Sequence, residues 1–491
     1  MSTTAESHVF DVDQARGMLW SGSWRDASAV LDVVEPATGE VLMQVGRATP
    51  EDVGRAAAEA RAAQPAWASS SAAERGGVMA RAADLLAEHH AEAETWLVRE
   101  AGSTRPKAGF EVMQLVLGEL KAAAAIVNEP LEHEVPDPTG RRSVIRRVPI
   151  GVVGVLAPWN FPMILAIRSV APALALGNAV ILKADPHTPV SGGFFLSSLL
   201  HAAGLPAGLL HVLPGGGDAG QAVCESPEVG MVSFTGSTAV GRLVGETCGR
   251  NLKRVALELG GNNAFIVLDD ADVDAASSAG AWGSFLHQGQ ICMTAGRHLV
   301  HERIADAYLE ALAARARHLP VGNPNTQDAA IGPLIAPEHV HRVDELVQDA
   351  KRAGAQILAG GEGASPFYPP TVLGGVSADM RVWKEEIFGP VAPVMTFAAD
   401  EEAVTLANAT EYGLSTGIYT RDLARGRWIT EHLQTGHVHI GDQTGNDDPA
   451  IPFGGTGASG NGARFGGPAN VEEFLQWQWL TEREEPATYP F

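Results

Sequence analysis

Only three cysteines occur in 491 residues, and Cys292, in Gly289-Gln290-Ile291-Cys292, is the one with partners for thiol chemistry elsewhere in the chain. Taken alone, a cysteine beside Ile291, Met293 and Ala295 is more often a small buried hydrophobe, so its partners decide the reading. Pro158-Trp159-Asn160-Phe161-Pro162 places an amide side chain between two prolines. Such an amide is either a turn former or a pre-positioned donor to an oxyanion. Leu257-Glu258-Leu259-Gly260-Gly261 sets one carboxylate between apolar residues and paired glycines. If it is buried there, its pKa rises toward neutrality and it can serve as a general base; otherwise it is a structural ion pair or backbone acceptor.

Two stretches have the grammar of an anion site. Phe234-Thr235-Gly236-Ser237-Thr238-Ala239-Val240-Gly241 reads as a strand, a glycine, hydroxyls and then a helix. That order turns backbone N–H groups and the positive end of a helix dipole toward a diphosphate, or it is an ordinary Ser/Thr helix cap. The literal glycine fingerprint Gly215-Gly216-Gly217-Asp218-Ala219-Gly220 is weaker, because Pro214 enters it and the next strand, Met231–Phe234, runs on into Thr235 rather than an acid. A tight loop explains it equally well. Lys183, after the apolar run Ala179–Leu182, can donate to ribose hydroxyls or simply lie at the surface. No HExxH, CxxC, G-x-S-x-G or Walker pattern is present, and His89-His90 and His437 with His439 read as solvated rather than metal-bound.

These residues need a large scaffold to hold them. The chain exceeds the roughly 250–300 residues at which one core stops growing, so two large domains and a smaller third element are expected. Its formal net charge of −23 argues against nucleic acid and anionic membranes as partners and leaves small molecules. Met1–Phe10 has neither a basic start nor an apolar stretch, and three unevenly spaced cysteines make no disulfide framework, so the cytoplasm is the expected compartment. The uncharged stretch Val148–Ile167 is interrupted by Pro149, Pro158 and Pro162, which break any spanning helix.

Thr49-Pro50-Glu51-Asp52 carries a capping hydroxyl, a proline and acids in the first turn, and it opens an Ala-rich helical segment reaching about Glu100. Beyond it, the apolar runs Val152–Val155, Ala179–Leu182, Leu209–Leu213 and Met231–Phe234 alternate with helix-like stretches, a βαβ rhythm that predicts a parallel sheet with ligands at its carboxyl ends. After Glu258 a second α/β unit starts, with a strand over Asn263–Leu268 and an Asp-capped helix from about Asp270 to His287. Leu475, Trp477 and Trp479 alternate with Gln476 and Gln478, which predicts an edge strand pairing with another subunit, or one that closes its own domain.

Taken together, Pro158-Trp159-Asn160-Phe161, Phe234-Thr235-Gly236-Ser237, Leu257-Glu258-Leu259-Gly260-Gly261, Gly289-Gln290-Ile291-Cys292, Glu385-Glu386-Ile387-Phe388-Gly389-Pro390 and Pro452-Phe453-Gly454-Gly455 resemble the aldehyde dehydrogenase superfamily almost end to end. The resemblance implies an α/β fold with a Rossmann-like dinucleotide-binding domain from residues 1–130 and 150–258 and a catalytic domain over 259–468. It also implies a small β oligomerisation element from 131–149 and 469–491, hence a homodimer or homotetramer. Cys292 is then the nucleophile, Glu258 the base, and Asn160 the oxyanion donor beside the Cys292 N–H. Trp159, Lys183, Gly236, Ser237 and Gly241 match cofactor contacts, and Glu386 and Phe388 match residues that place the nicotinamide ribose and ring. No metal is implied.

Two departures qualify the pattern. Pro186 stands where NAD-preferring relatives often have a glutamate that holds the adenosine ribose, so NAD is expected with NADP also accepted. Arg168-Ser169 stand where many members carry a lysine. Leu182-Lys183-Ala184-Asp185-Pro186, Gln290–His298, Asp442-Gln443-Thr444 and Gly457–Gly467 look most like the benzaldehyde and vanillin dehydrogenase branch, which implies an aromatic aldehyde as substrate. Phe161, Ile164, Leu165 and Phe453 are the expected apolar wall for its ring, with helix core as the other reading of the first three. The competing functions are oxidation of aliphatic aldehydes or semialdehydes, acyl transfer to CoA, and a catalytically silent binding protein.

Overall fold

The computed structural model describes residues 8–491. Residues 1–7, most of the segment read for a leader, lie outside the described residues. No helix among the described residues is long and apolar enough to cross a membrane.

Two seven-stranded sheets organise the chain. The first has the spatial order Arg254–Glu258, Met231–Thr235, Val152–Leu156, Ala179–Lys183, Leu210–Val212, Met18–Ser21, Trp24–Asp26. Its first five strands are parallel, and the last two add as an antiparallel edge. Every residue of Val152–Leu156 is buried, which is the continuous apolar pattern of a parallel strand covered on both faces. Four neighbouring strands therefore deliver Glu258, Thr235, the loop after Leu156 and Lys183 to one carboxyl edge, where parallel sheets bind ligands.

The second sheet runs Gln356–Ala359, Thr371–Gly374, Val391–Phe397, Arg297–His301, Ala264–Val267, Ser415–Tyr419, His437–Ile440, parallel except for its first pair. Separate apolar clusters lie around it, including Ile266, Leu299, Val391 and Ile418 in one and Phe265, Val300 and Val394 in another. A third, antiparallel sheet joins Leu475–Glu482 to Arg142–Pro149 and Glu132–Glu134. The strand Leu475–Glu482 thus has a partner within its own chain on one side, and its other edge has none among the described residues.

The helical segment expected from Thr49 to Glu100 is three helices, Pro50–Ala68, Ala72–Glu88 and His90–Ala101. Thr49 and Asp52 cap the first helix reciprocally, and Ser71, the last of the three serines Ser69-Ser70-Ser71, starts a second helix by accepting the Glu74 N–H, so the chain turns at that polar run. The helix expected from Asp270 is Val273–Phe285, capped by Asp272. Gly215 and Gly216 form a tight loop into the helix Gly217–Glu225.

Candidate active site

The loop after Val152–Leu156 ends in the helix Pro162–Ala175, whose proline at the first position fixes where the helix begins. Asn160 is buried, and its Nδ2 donates to Gln290 O at 2.9 Å, which ties the amide to the cysteine loop. Trp159 stands edge-on to Phe388 at 5.5 Å.

Cys292 is reached through a strained approach. His287, Gln288 and Gly289 have φ of 48°, 58° and 67°, three consecutive left-handed residues of which only the last is glycine. A Cβ on Gly289 would lie 2.1 Å from Gly389 O, so the bend needs glycine for space as well as for torsion. Distant groups hold it: Gln288 donates to Gly102 O and Pro333 O, Gln290 accepts from Ile335 N–H, and Asn263 donates to Cys292 O at 2.8 Å. The Cys292 N–H makes no backbone hydrogen bond among the described residues. Burial, with Glu386 and Glu258 nearby, pushes the thiol up to about 12, while Arg168 opposes them.

Glu258 closes its strand with the side chain buried and both oxygens lacking a hydrogen-bond partner among the described residues. Desolvation raises its pKa well above the ordinary carboxylate range, against the pull of Arg464 and Arg168. A carboxyl left unpaired in a buried place is costly to the fold. Arg168 is buried and paired with Asp447, and its guanidinium lies 4.7 Å from the Phe453 ring centre.

Cys292 lies between two hollows. One is lined by Phe161, Ile164, Leu165 and Phe453 together with Phe110 and Leu115, with Asn160, Arg168 and Asp447 as its polar part. The other brings Cys292 together with Glu258, Thr235 and Leu259. Phe110 and Leu115 escaped the sequence reading because they come from a helical segment far from every motif.

Lys183 ends its strand mostly buried, and burial lowers its pKa while Asp185 and Asp218 pull it up. Gly236 donates its N–H to Glu258 O at 3.0 Å, and Ser237 caps the helix Thr238–Arg250 through Val240 N–H. Gly241 lets that helix lie against Leu259, where a Cβ would sit 2.3 Å from its side chain. Glu386 accepts from Gly261 N–H at 2.9 Å, and burial raises it to about 7. Phe388 holds a left-handed φ of 55°. These residues suit a nicotinamide dinucleotide: a helix start free of acidic residues for the diphosphate, an ammonium at the end of the strand two places along the same sheet, and exposed Val240 and Leu243 on the same helix offering an apolar face to a heteroaromatic base.

His437 and His439 are only partly exposed, not freely solvated as the sequence suggests. His437 Nε2 accepts the Gly454 N–H at 3.1 Å and its ring packs on Phe453, and His439 is half-buried.

The aldehyde dehydrogenase family model matches residues 24–480. Over 98% of its length the chain is 52% identical to a vanillin dehydrogenase of an Amycolatopsis species, of which 99% is covered. It is also 52% identical to a benzaldehyde dehydrogenase [NAD(+)] of Pseudomonas putida, with 97% of this chain and 98% of that one aligned. A solved salicylaldehyde dehydrogenase of Pseudomonas putida G7, complexed with salicylaldehyde, superposes with a TM-score of 0.93 at 33% identity over 96% of this chain and 99% of that one.

Proposed function

The chain belongs to the aldehyde dehydrogenase family, and from that premise we propose that it oxidises an aromatic aldehyde of the benzaldehyde or vanillin type to the carboxylic acid, with NAD as cofactor and NADP also accepted. The observation that carries this reading is the position of Cys292 between an apolar hollow walled by phenylalanines and a second hollow that holds an unpartnered carboxyl. The relatives named for benzaldehyde and vanillin support the ring, and Pro186, which offers no carboxylate to repel a 2′-phosphate, supports the tolerance for NADP.

In this reading the Cys292 sulfur adds to the carbonyl carbon while the ring lies against Phe161, Ile164, Leu165 and Phe453. Addition needs the thiolate, so the Cys292 proton passes to solvent as the sulfur attacks. The carbonyl oxygen takes up the negative charge and receives hydrogen bonds from Asn160 Nδ2 and the Cys292 N–H, each such donor lowering the barrier by about 3–4 kcal/mol. When bound, the oxidised nicotinamide supplies the hydride acceptor, with Trp159, Lys183, Gly236, Ser237, Gly241, Glu386 and Phe388 holding it. The thioester left on Cys292 is then cleaved by water that gives its proton to Glu258; the C–S bond breaks and the acid leaves. A carboxyl kept free of other partners supports water, not CoA, as acyl acceptor.

The test is a panel of benzaldehydes and aliphatic aldehydes with each nicotinamide, with and without CoA, read by absorbance of the reduced cofactor. Ring aldehydes should lead in kcat/KM by about tenfold or more, as one or two misfitted groups in an apolar pocket cost. CoA should change nothing. Equal or better turnover of aliphatic aldehydes would remove the aromatic assignment.

The free edge of Leu475–Glu482, with Trp477 and Trp479 54% and 65% exposed, supports a homodimer or homotetramer. Light scattering should give a multiple of the chain mass, and Trp477→Glu with Trp479→Glu should reduce it; a monomer in the unaltered protein would refute this. The three free thiols support a reducing compartment such as the cytoplasm.

A further inference from the structure

We infer that the buried Lys107–Glu111 pair is a positioning device for the reaction, which holds the main chain of Asn160 and the first turn of Pro162–Ala175 where the oxyanion donor and the ring wall must stand. The inference rests on the reading of Asn160 as that donor.

Lys107 is 1% exposed, and its ammonium has an acceptor for each N–H: Ser103 Oγ at 3.1 Å, the Glu111 carboxylate, and Asn160 O at 3.1 Å. The same nitrogen lies 3.9 Å from the centre of the Phe161 ring. The other oxygen of Glu111 accepts from Met163 N–H at 2.9 Å and Ile164 N–H at 3.2 Å. It thereby caps, from another part of the chain, a helix whose own N-cap residue, Phe161, contributes no side-chain hydrogen bond. One ion pair thus grips the backbone at residues 160, 163 and 164.

Its setting points the same way. Glu111–Val116 is a π-helical turn between the helices Arg105–Phe110 and Leu117–Ile126, and such turns gather at functional sites. Phe110 and Leu115 of this stretch line the ring hollow, so the segment that shapes the pocket also anchors the loop opposite. Stability alone does not explain the pair, because desolvating both charges cancels much of their attraction, and apolar substitutes often serve a fold equally well. Burial accordingly lowers the Lys107 pKa, with Glu111 opposing it.

The test removes both charges together, since Lys107→Met alone would strand a buried carboxylate. Lys107→Met with Glu111→Gln keeps an amide oxygen for Met163 and Ile164. The folded double variant should acylate about 100-fold more slowly in a single turnover, the scale of a displacement near 1 Å, with aldehyde affinity within about threefold. Alkylation of Cys292 by iodoacetamide, which builds no oxyanion, should stay within about threefold, whereas a general disturbance of the loop would slow both reactions. Adding Asn160→Ala should cost little more, because the pair acts through that residue. Should the double variant not fold, Glu111→Gln alone is measured against the same thresholds. Acylation within threefold of the unaltered protein, or an effect that multiplies fully with Asn160→Ala, overturns the inference. If Asn160→Ala alone leaves acylation unchanged, it is the oxyanion reading of Asn160 that fails.

Discussion

Cys292→Ala lowers turnover about a millionfold, the scale on which covalent catalysis collapses when its nucleophile is removed, and it abolishes the first burst of reduced cofactor along with the steady state. The fold should be unaffected, because Cys292 is held through its main chain, by Asn263 at the carbonyl and by its neighbours Gln288 and Gln290. Calorimetric binding of NAD is therefore retained in the variant. Any residual dehydrogenation well above the uncatalysed rate would contradict a covalent route.

Glu258→Gln separates the two halves of the reaction. With hydride loss intact and the water-activating base gone, the first-turnover burst persists while steady-state turnover falls about 10²–10⁴-fold, the usual contribution of a positioned base. An unchanged steady state would remove Glu258 from the mechanism. The same substitution has a pH signature. The folded-state pKa of Glu258 lies well above its unfolded value near 4.5, so the stability tied to its neutral form is complete below that unfolded value and is lost as pH rises through the folded one. Glutamine cannot ionise. The variant should therefore gain in thermal midpoint over the unaltered protein as pH rises, the reverse of what removing a paired carboxylate does. Glu100 and Glu386, raised to about 7, and Glu119, raised to about 8, share the sign and remain in both proteins, so the difference isolates Glu258. A difference that shrinks with pH would mean Glu258 is ionised and satisfied in the fold.

Much of this was legible in the sequence because the relevant residues sit at strand ends, where local grammar is explicit. Val152–Leu156 followed by Asn160, Met231–Thr235 followed by Gly236, and Arg254–Glu258 each pair an apolar run with the residue it delivers. What stayed hidden was set by contacts across long separations. Lys107 meets Asn160 across 53 residues, and Arg168 meets Asp447 across 279; neither pair has a spacing that periodicity detects. Ser69-Ser70-Ser71, with Glu74 three residues on, is a local helix-start signal that the alanines on either side of it masked. His437 reads as solvated in sequence because its role as acceptor for Gly454 arises only when the second sheet folds.

The fastening of the cysteine loop to residues 102, 263, 333 and 335 also bears on how the chain matures. Those anchors come from both halves of the polypeptide, and three left-handed residues will not persist without them. The thiol and its oxyanion donors therefore come into register only once both halves have folded, so catalytic competence arrives with the complete tertiary structure and not with any one segment of it.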